Sequence, residues 1–224
     1  MNSLIAAALF FVGIHLLISG TWLRAALVRR IGELPYLGLF SLLSAAALTW
    51  MVIAFTQAHE PIPSALRDWR WVAIVLNLVA WIFIAFGVLS KSPTAYGGER
   101  FLNNPDPVTG LHRVTRHPML WGFALWAAVH MLFNPEPPAL VFFGAFLALA
   151  LIGPPSIDAK RAARMGEAWA RYLALTSNVP FAAILAGRNR MVWRELLAPP
   201  LAAGIAGWAL FLLLHGRLFK MPVL

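Results

Sequence analysis

Six stretches of this chain contain no Asp, Glu, Lys or Arg: residues 3–23, 34–59, 71–90, 117–135, 137–157 and 196–216. Each is close to the ~20 apolar residues that a helix needs to cross a bilayer. Backbone polar groups cannot stay unpaired in hydrocarbon, and the stretches lack the alternation of barrel strands, so each reads as a helix. Prolines punctuate them. Pro35 stands at the start of the second stretch, Pro61 and Pro63 follow it, Pro137 and Pro138 open the fifth, and Gly153-Pro154-Pro155 is expected to close it. The expected fold is an all-α, polytopic membrane bundle forming one transmembrane domain over residues 1–224. Its spans fall near 3–24, 35–58, 70–90, 117–134, 138–153 and 196–215. The first stretch lacks a basic n-region and is too long for an h-region, so it reads as a retained helix and not a cleavable signal.

Composition agrees: 60% of residues are hydrophobic, 12% are charged, and the mean hydropathy is +0.73. The net charge of +9 would raise the question of nucleic acid in a soluble protein. Its distribution answers otherwise. With six spans, 14 of the 18 basic residues fall in the first, third and fifth loops and four on the opposite side, including Arg217 and Lys220 in the tail. By the positive-inside rule the basic loops are cytoplasmic and both termini lie outside; an odd number of spans would spoil this partition. The chain has no Cys, which excludes disulfides, iron–sulfur clusters, thiolate nucleophiles and covalently attached haem. Two cytoplasmic segments look like more than connectors. From Ile157 to Leu175, polar residues interleave with Met165, Trp169, Tyr172 and Leu173, as in a helix lying on the membrane surface. The polar loop from Lys91 to Arg113 has the length of one that is functional or mobile.

Ionisable residues inside hydrocarbon are functional candidates by default. His59, His112, His117 and His215 lie at or beyond span ends, whereas His15 and His130 are deep. Counted from Arg24 and from Arg116, they lie ~14 Å and ~21 Å along their helices at 1.5 Å per residue, which are overlapping depths. Two imidazoles on different helices are what a b-type haem needs. Zinc fits less well, because it wants more protein ligands and no carboxylate appears within the spans. The plain alternative is that each His hydrogen-bonds across helices, in the way Ser41, Ser44 or Asn77 would. No Gly-x-Ser-x-Gly motif supports a hydrolase.

Three blocks of sequence resemble the NnrU family of bacterial membrane proteins. They are His15-Leu16-Leu17-Ile18-Ser19-Gly20-Thr21-Trp22-Leu23-Arg24 continuing to Leu42, Val114-Thr115-Arg116-His117-Pro118 with Gly122, Leu125-Trp126 and His130, and Thr176-Ser177-Asn178-Val179-Pro180-Phe181. The resemblance implies a bacterial inner-membrane protein linked to denitrification and nitric oxide handling. The same blocks are similar to the 15-cis-zeta-carotene isomerases, haem b enzymes that act on a cis double bond. That similarity implies axial iron ligation by His15 and His130, although the isomerase ligand directly precedes Ser-Gly, whereas Ile18 occupies that place here. It also implies a carotenoid-like substrate or a nitric oxide ligand. Where the isomerase has a Cys three residues before its second ligand, this chain has Ala127, so a ligand switch through sulfur is impossible.

Arg24, Arg29 and Arg116 stand at the cytoplasmic span ends as candidate partners for haem propionates, beside their role in topology. Arg116-His117-Pro118 with Gly122, together with the segment from Asp158 to Tyr172, also resembles the isoprenylcysteine carboxyl methyltransferases and phospholipid methyltransferases. There such segments cradle S-adenosylmethionine, which makes Arg116 and His117 cofactor-binding candidates for a second reading. This chain departs from that pattern at Leu120, where the motif has Tyr, and at Ala159, where it has a second acid. A non-enzymatic membrane assembly factor is a third reading. Catalytic residues, oligomeric state and redox partner are not legible in the sequence, and nucleic acid is not an expected partner.

Overall fold

The computed structural model describes residues 1–59, 65–94, 97–104 and 106–219. Pro61, Pro63 and Lys220, which entered the reading above, lie outside the described residues. Among the described residues every regular element is helical. Helix α1 (Asn2–Gly13) runs into a π-helical turn (Ile14–Ser19), followed by α2 (Trp22–Ile31), α3 (Glu33–Ala58) and α4 (Arg70–Leu89). Then come α5 (Pro118–Phe133), α6 (Pro137–Leu175), the single turn α7 (Ala182–Leu185) and α8 (Pro199–Phe219).

Five segments are long and apolar enough to cross a membrane: Asn2–Ser19, α3, α4, α6 and α8. The sixth expected span, α5, has 16 residues, or ~24 Å at 1.5 Å per residue, short of a ~30 Å hydrocarbon core. Large apolar side chains point outward along these helices. Leu17, Leu42 and Leu213 are 66%, 69% and 75% exposed, which in a chain of this composition is the lipid-facing surface.

The chain packs as two compact units. The first comprises Met1–Trp69 and Ala127–Gly153, the second Arg70–Trp126 and Pro154–Leu224. In the first, α1 buries Leu4, Ala7, Ala8, Phe11 and the following Ile14, a stripe of helical period, and α3 buries Ala47, Met51 and Ala54. Small residues allow close approach, and the Trp50 indole donates across to the Ser3 hydroxyl at 3.1 Å. Gly20 closes the π-helical turn. A Cβ there would run into the Leu16 carbonyl, so only glycine fits. The Thr21 hydroxyl donates to the Leu17 carbonyl and accepts from the Leu23 amide, capping α2 as it leaves the turn.

Close approach also organises the second unit. A Cβ on Gly122 of α5 would sit 2.7 Å from the Ala80 carbonyl oxygen of α4, and one on Gly204 of α8 would sit 2.8 Å from the Ile82 Cα. The Trp208 indole donates to the Ile74 carbonyl at 3.1 Å.

Two expectations about the fifth span are corrected. Helix α6 does not end at Gly153-Pro154-Pro155 but continues through both prolines and leaves helical geometry only at Gly166 (φ 51°, ψ −125°). Proline removes amide donors but does not forbid helical φ, whereas the positive φ at the break suits glycine. The break at Gly166 divides α6, so the stretch after it, through Leu175, is a helical segment distinct from the one that carries the prolines. Its aromatic face does not dip into lipid: Trp169 and Tyr172 are almost wholly buried, packed with Leu102 and Val108 of the loop before α5.

Candidate functional site

His15 is the second residue of the π-helical turn in the first unit, a local geometry often found at functional positions. Its Nδ1 lies 2.7 Å from the Phe11 carbonyl oxygen. A carbonyl can only accept, so in the neutral ring Nδ1 carries the hydrogen and Nε2 keeps its lone pair. The Ser44 hydroxyl of α3 donates to that Nε2 at 3.2 Å. His15 therefore makes a cross-helix hydrogen bond of the kind sequence reasoning set beside iron ligation. The ring is fixed further by Phe11, at 4.6 Å between centroids, and by the edge of Phe40, at 5.3 Å. Phe40 stacks on Tyr36, over which Arg24 places its guanidinium at 5.4 Å while pairing with Glu33 at 3.1 Å. Of the three propionate candidates, Arg24 is thus tied by contacts to the surroundings of His15, whereas Arg29 is exposed.

His130 belongs to the same unit and stacks on Phe143 of α6 at 4.6 Å and 26°. Ring contacts run from one His to the other: His15 to Phe11, Phe146, Phe142, Phe143 and His130, with steps of 4.6 to 5.5 Å. A chain of phenylalanine contacts thus links the surroundings of the two imidazoles. Ala127, one turn before His130, is fully buried.

The same aromatic group carries a pair that sequence reasoning missed. Phe55 contacts both Phe142 and Phe143 and lies beside His59, whose Nδ1 sits 2.9 Å from Glu136 Oε1. Glu136 is 2% exposed. The sequence sets His59 at a span end and shows no carboxylate within the spans; the structure brings His59 and the buried Glu136 together at the span ends. The available signal was an acid held between Pro135 and Pro137.

Arg116 and His117, in the second unit, meet on one carboxylate. Arg116 donates from Nε and Nη2 to Asp158 Oδ2 at 2.8 and 2.6 Å, and His117 Nε2 lies 2.8 Å from Oδ1. The two segments that resemble methyltransferase sequences thus come together, with both oxygens of Asp158 engaged. Around them the loop is locked in place. Arg161 binds Glu99 and donates to the Thr94 carbonyl, while the Thr94 hydroxyl donates to the Arg116 carbonyl. Arg161 and Arg164 hold the Glu99 carboxyl below its usual range against the opposing effect of its burial.

Nearby, Arg113 is largely buried and forms a bidentate pair with Glu195, Nε to Oε2 at 2.7 Å and Nη2 to Oε1 at 2.8 Å. It also reaches Asp106 at 2.7 Å and Asn189 at 3.2 Å. The Gly110 amide donates to Glu195 as well, at 2.7 Å. These bonds lower the Glu195 pKa and raise that of Arg113, with the Arg113–Glu195 hydrogen bond the largest cause of each. His112 beside it is 1% exposed, and burial pushes its imidazole down to about 4, against a smaller opposing pull from Thr109.

Among the described residues no three His, Asp or Glu side chains gather as a metal cage. A haem supplies four nitrogens of its own and asks the protein only for axial ligands, so a two-His donor set meets that demand.

Comparison with known proteins follows this geometry. A family model described as NnrU protein matches residues 3–223. A chloroplastic 15-cis-zeta-carotene isomerase of Arabidopsis thaliana is 36% identical over 140 residues, covering 62% of this chain and 35% of that protein. The chloroplastic 15-cis-zeta-carotene isomerase of Zea mays is 34% identical over 83 residues, 37% of this chain and 23% of that protein. The chain thus matches about a third or less of the length of these relatives. No solved structure matches it.

Proposed function

This chain belongs to the NnrU family, and from that premise we propose that it is a multi-pass membrane protein that holds haem b through His15 and His130 and isomerises a cis double bond in a carotenoid-like polyene. The observation that supports this best is the tautomer of His15. The Phe11 carbonyl holds the proton on Nδ1 and turns the Nε2 lone pair toward α3, the state that an axial ligand must adopt. When bound, haem b supplies an iron centre that changes oxidation state and exchanges an axial ligand. The chain's part is to orient the two imidazoles, to exclude water with Phe11, Phe142, Phe143 and Phe146, and to offer Arg24 to a propionate. An apolar, ring-lined interior suits a hydrocarbon substrate, and two chloroplastic relatives are named as isomerases of such a molecule. In a bacterium the protein would lie in the inner membrane, and with α5 crossing as a short sixth span its basic loops would face the cytoplasm.

A second reading rests on Ser44. His15 Nε2 already has the Ser44 hydroxyl as a partner, and a haem held beside it would supply an iron centre able to take nitric oxide. The methyltransferase reading is less well supported, since Asp158 engages Arg116 and His117 with both oxygens. One experiment separates the first two. Purified reduced protein is offered a 15-cis polyene and, separately, nitric oxide. Conversion of the polyene supports isomerisation. A nitric oxide spectral change without conversion supports the second reading, and neither result contradicts both.

A further inference from the structure

We propose that a pocket at the end of α6 binds the phosphodiester headgroup of an anionic membrane lipid. The pocket, of about 340 Å³, is lined by Arg116 and Arg188 together with Thr176, Ser177, Asn178 and Val179. No acidic residue lines it.

Hydrogen-bond accounting shows which groups face a ligand. The Thr176 hydroxyl donates to the Tyr172 carbonyl, and the Ser177 hydroxyl donates to the Val179 carbonyl while accepting from the Ala183 amide. Asn178 accepts from Thr115 and Trp121 through its backbone carbonyl and from Trp121 through Oδ1, which leaves its Nδ2 group, so recognition falls to that amide and the two guanidiniums. Arg116 uses Nε and Nη2 on Asp158, which leaves Nη1. Arg188 uses Nη1 on the carbonyls of Leu173, Ala174 and Thr176 at 3.3, 2.8 and 3.0 Å, which leaves Nε and Nη2, the pair that grips an oxyanion. Among the described residues Arg188 has no carboxylate partner.

Charge selects the ligand class. Asp158 neutralises Arg116, so the lining carries about one uncompensated positive charge, contributed by Arg188. A phosphodiester carries one negative charge and presents two oxygens to a guanidinium fork. The surroundings indicate an amphiphile over a free ion, since Val179, Phe181 and Leu185 are 58%, 48% and 85% exposed in a chain built to cross a bilayer. A carotenoid has no charge for this site to hold, and the inference does not depend on haem.

The test uses the full chain in neutral detergent, with native mass spectrometry and a phosphatidylglycerol titration in the presence and absence of inorganic phosphate. One phosphatidylglycerol should remain bound per chain, and phosphate should compete. Arg188→Gln should weaken binding about tenfold by removing a charge-assisted contact. Because Arg188 also secures the end of α6, Val179→Asp provides a second variant. It places a carboxylate on an exposed part of the lining, leaves the fold alone, and should weaken binding to a similar degree. Arg190→Gln, outside the lining, should leave affinity unchanged. Phosphate binding without phosphatidylglycerol binding would overturn the lipid assignment. Unchanged lipid affinity in both lining variants would overturn the site.

Discussion

His112 should make this protein acid-sensitive above the range in which the lowered carboxyls of Glu99 and Glu195 take up protons. The ring is 1% exposed and burial holds its pKa at about 4, against 6.5 for an unperturbed imidazole. The folded state thus favours the neutral ring, and as pH falls below 6.5 the unfolded chain takes up a proton that the folded chain refuses. This contribution is complete above pH 6.5 and is lost as pH falls toward 4, at up to ~1.4 kcal/mol per pH unit. Integrated from 6.5 to 4.5, the loss is about 2 kcal/mol. A chain of this size melts roughly 2–4 °C lower per kcal/mol, so the midpoint should fall by roughly 4–8 °C. Glu99 and Glu195, whose pKa values are lowered, stabilise above about 4.5 and lose that contribution only as pH falls through their folded values, below this window. The assay is thermal unfolding in detergent at closely spaced pH values, for wild type and for His112→Gln. The difference between the two melting curves should slope between pH 6.5 and 4.5 and be flat above. Parallel profiles through that window would refute the burial argument.

Three further outcomes follow from the packing. Arg113→Met should destabilise by about 1–2 kcal/mol, since it removes the bidentate partner of the half-buried Glu195 while Asp106 stays solvated, and a double-mutant cycle with Glu195→Gln should return a coupling of about 1 kcal/mol in denaturant titrations. His59→Ala should cost about 1–3 kcal/mol by removing the ring that sits 2.9 Å from the buried Glu136 carboxyl, and Glu136→Gln in the same background should recover much of the melting temperature. Gly122→Val should lower stability by about 1–3 kcal/mol, because the added carbons meet the Ala80 carbonyl; normal melting would show that α4 and α5 do not approach as described.

The membrane character of the fold was legible because charge-free stretches leave the backbone one way to satisfy itself in lipid. What covers each face was not. The pattern of Met165, Trp169, Tyr172 and Leu173 shows an apolar stripe, but periodicity is the same whether lipid or the Leu102–Val108 loop lies against it. Gly153-Pro154-Pro155 misled because helix-breaking rules come from water, whereas within a membrane bundle prolines are tolerated inside helices. The π-helical turn around His15 leaves no trace in hydrophobicity, since all its neighbours are apolar, and only the Ser19-Gly20 pair hints at a crowded carbonyl. Glu136 escaped notice for a related reason: a residue at the edge of an apolar stretch reads as solvated, and its burial depends on Phe55, Phe142 and His59 packing from other helices. The depth of His15 and His130 was readable by counting residues. The phenylalanine rings between them were not, because that path draws on helices far apart in sequence.

The central claim is that His15 and His130 are an axial ligand pair. It is tested most directly by the absorption spectrum of the purified protein after haem b is supplied during expression, measured for wild type, His15→Ala, His130→Ala and Ser44→Ala. The account predicts low-spin bands at one haem per chain in wild type, their loss or conversion to high spin in either histidine variant, and their retention in Ser44→Ala, where the hydroxyl that meets His15 Nε2 has been removed. A colourless wild type, or histidine variants with unaltered low-spin bands, would contradict it.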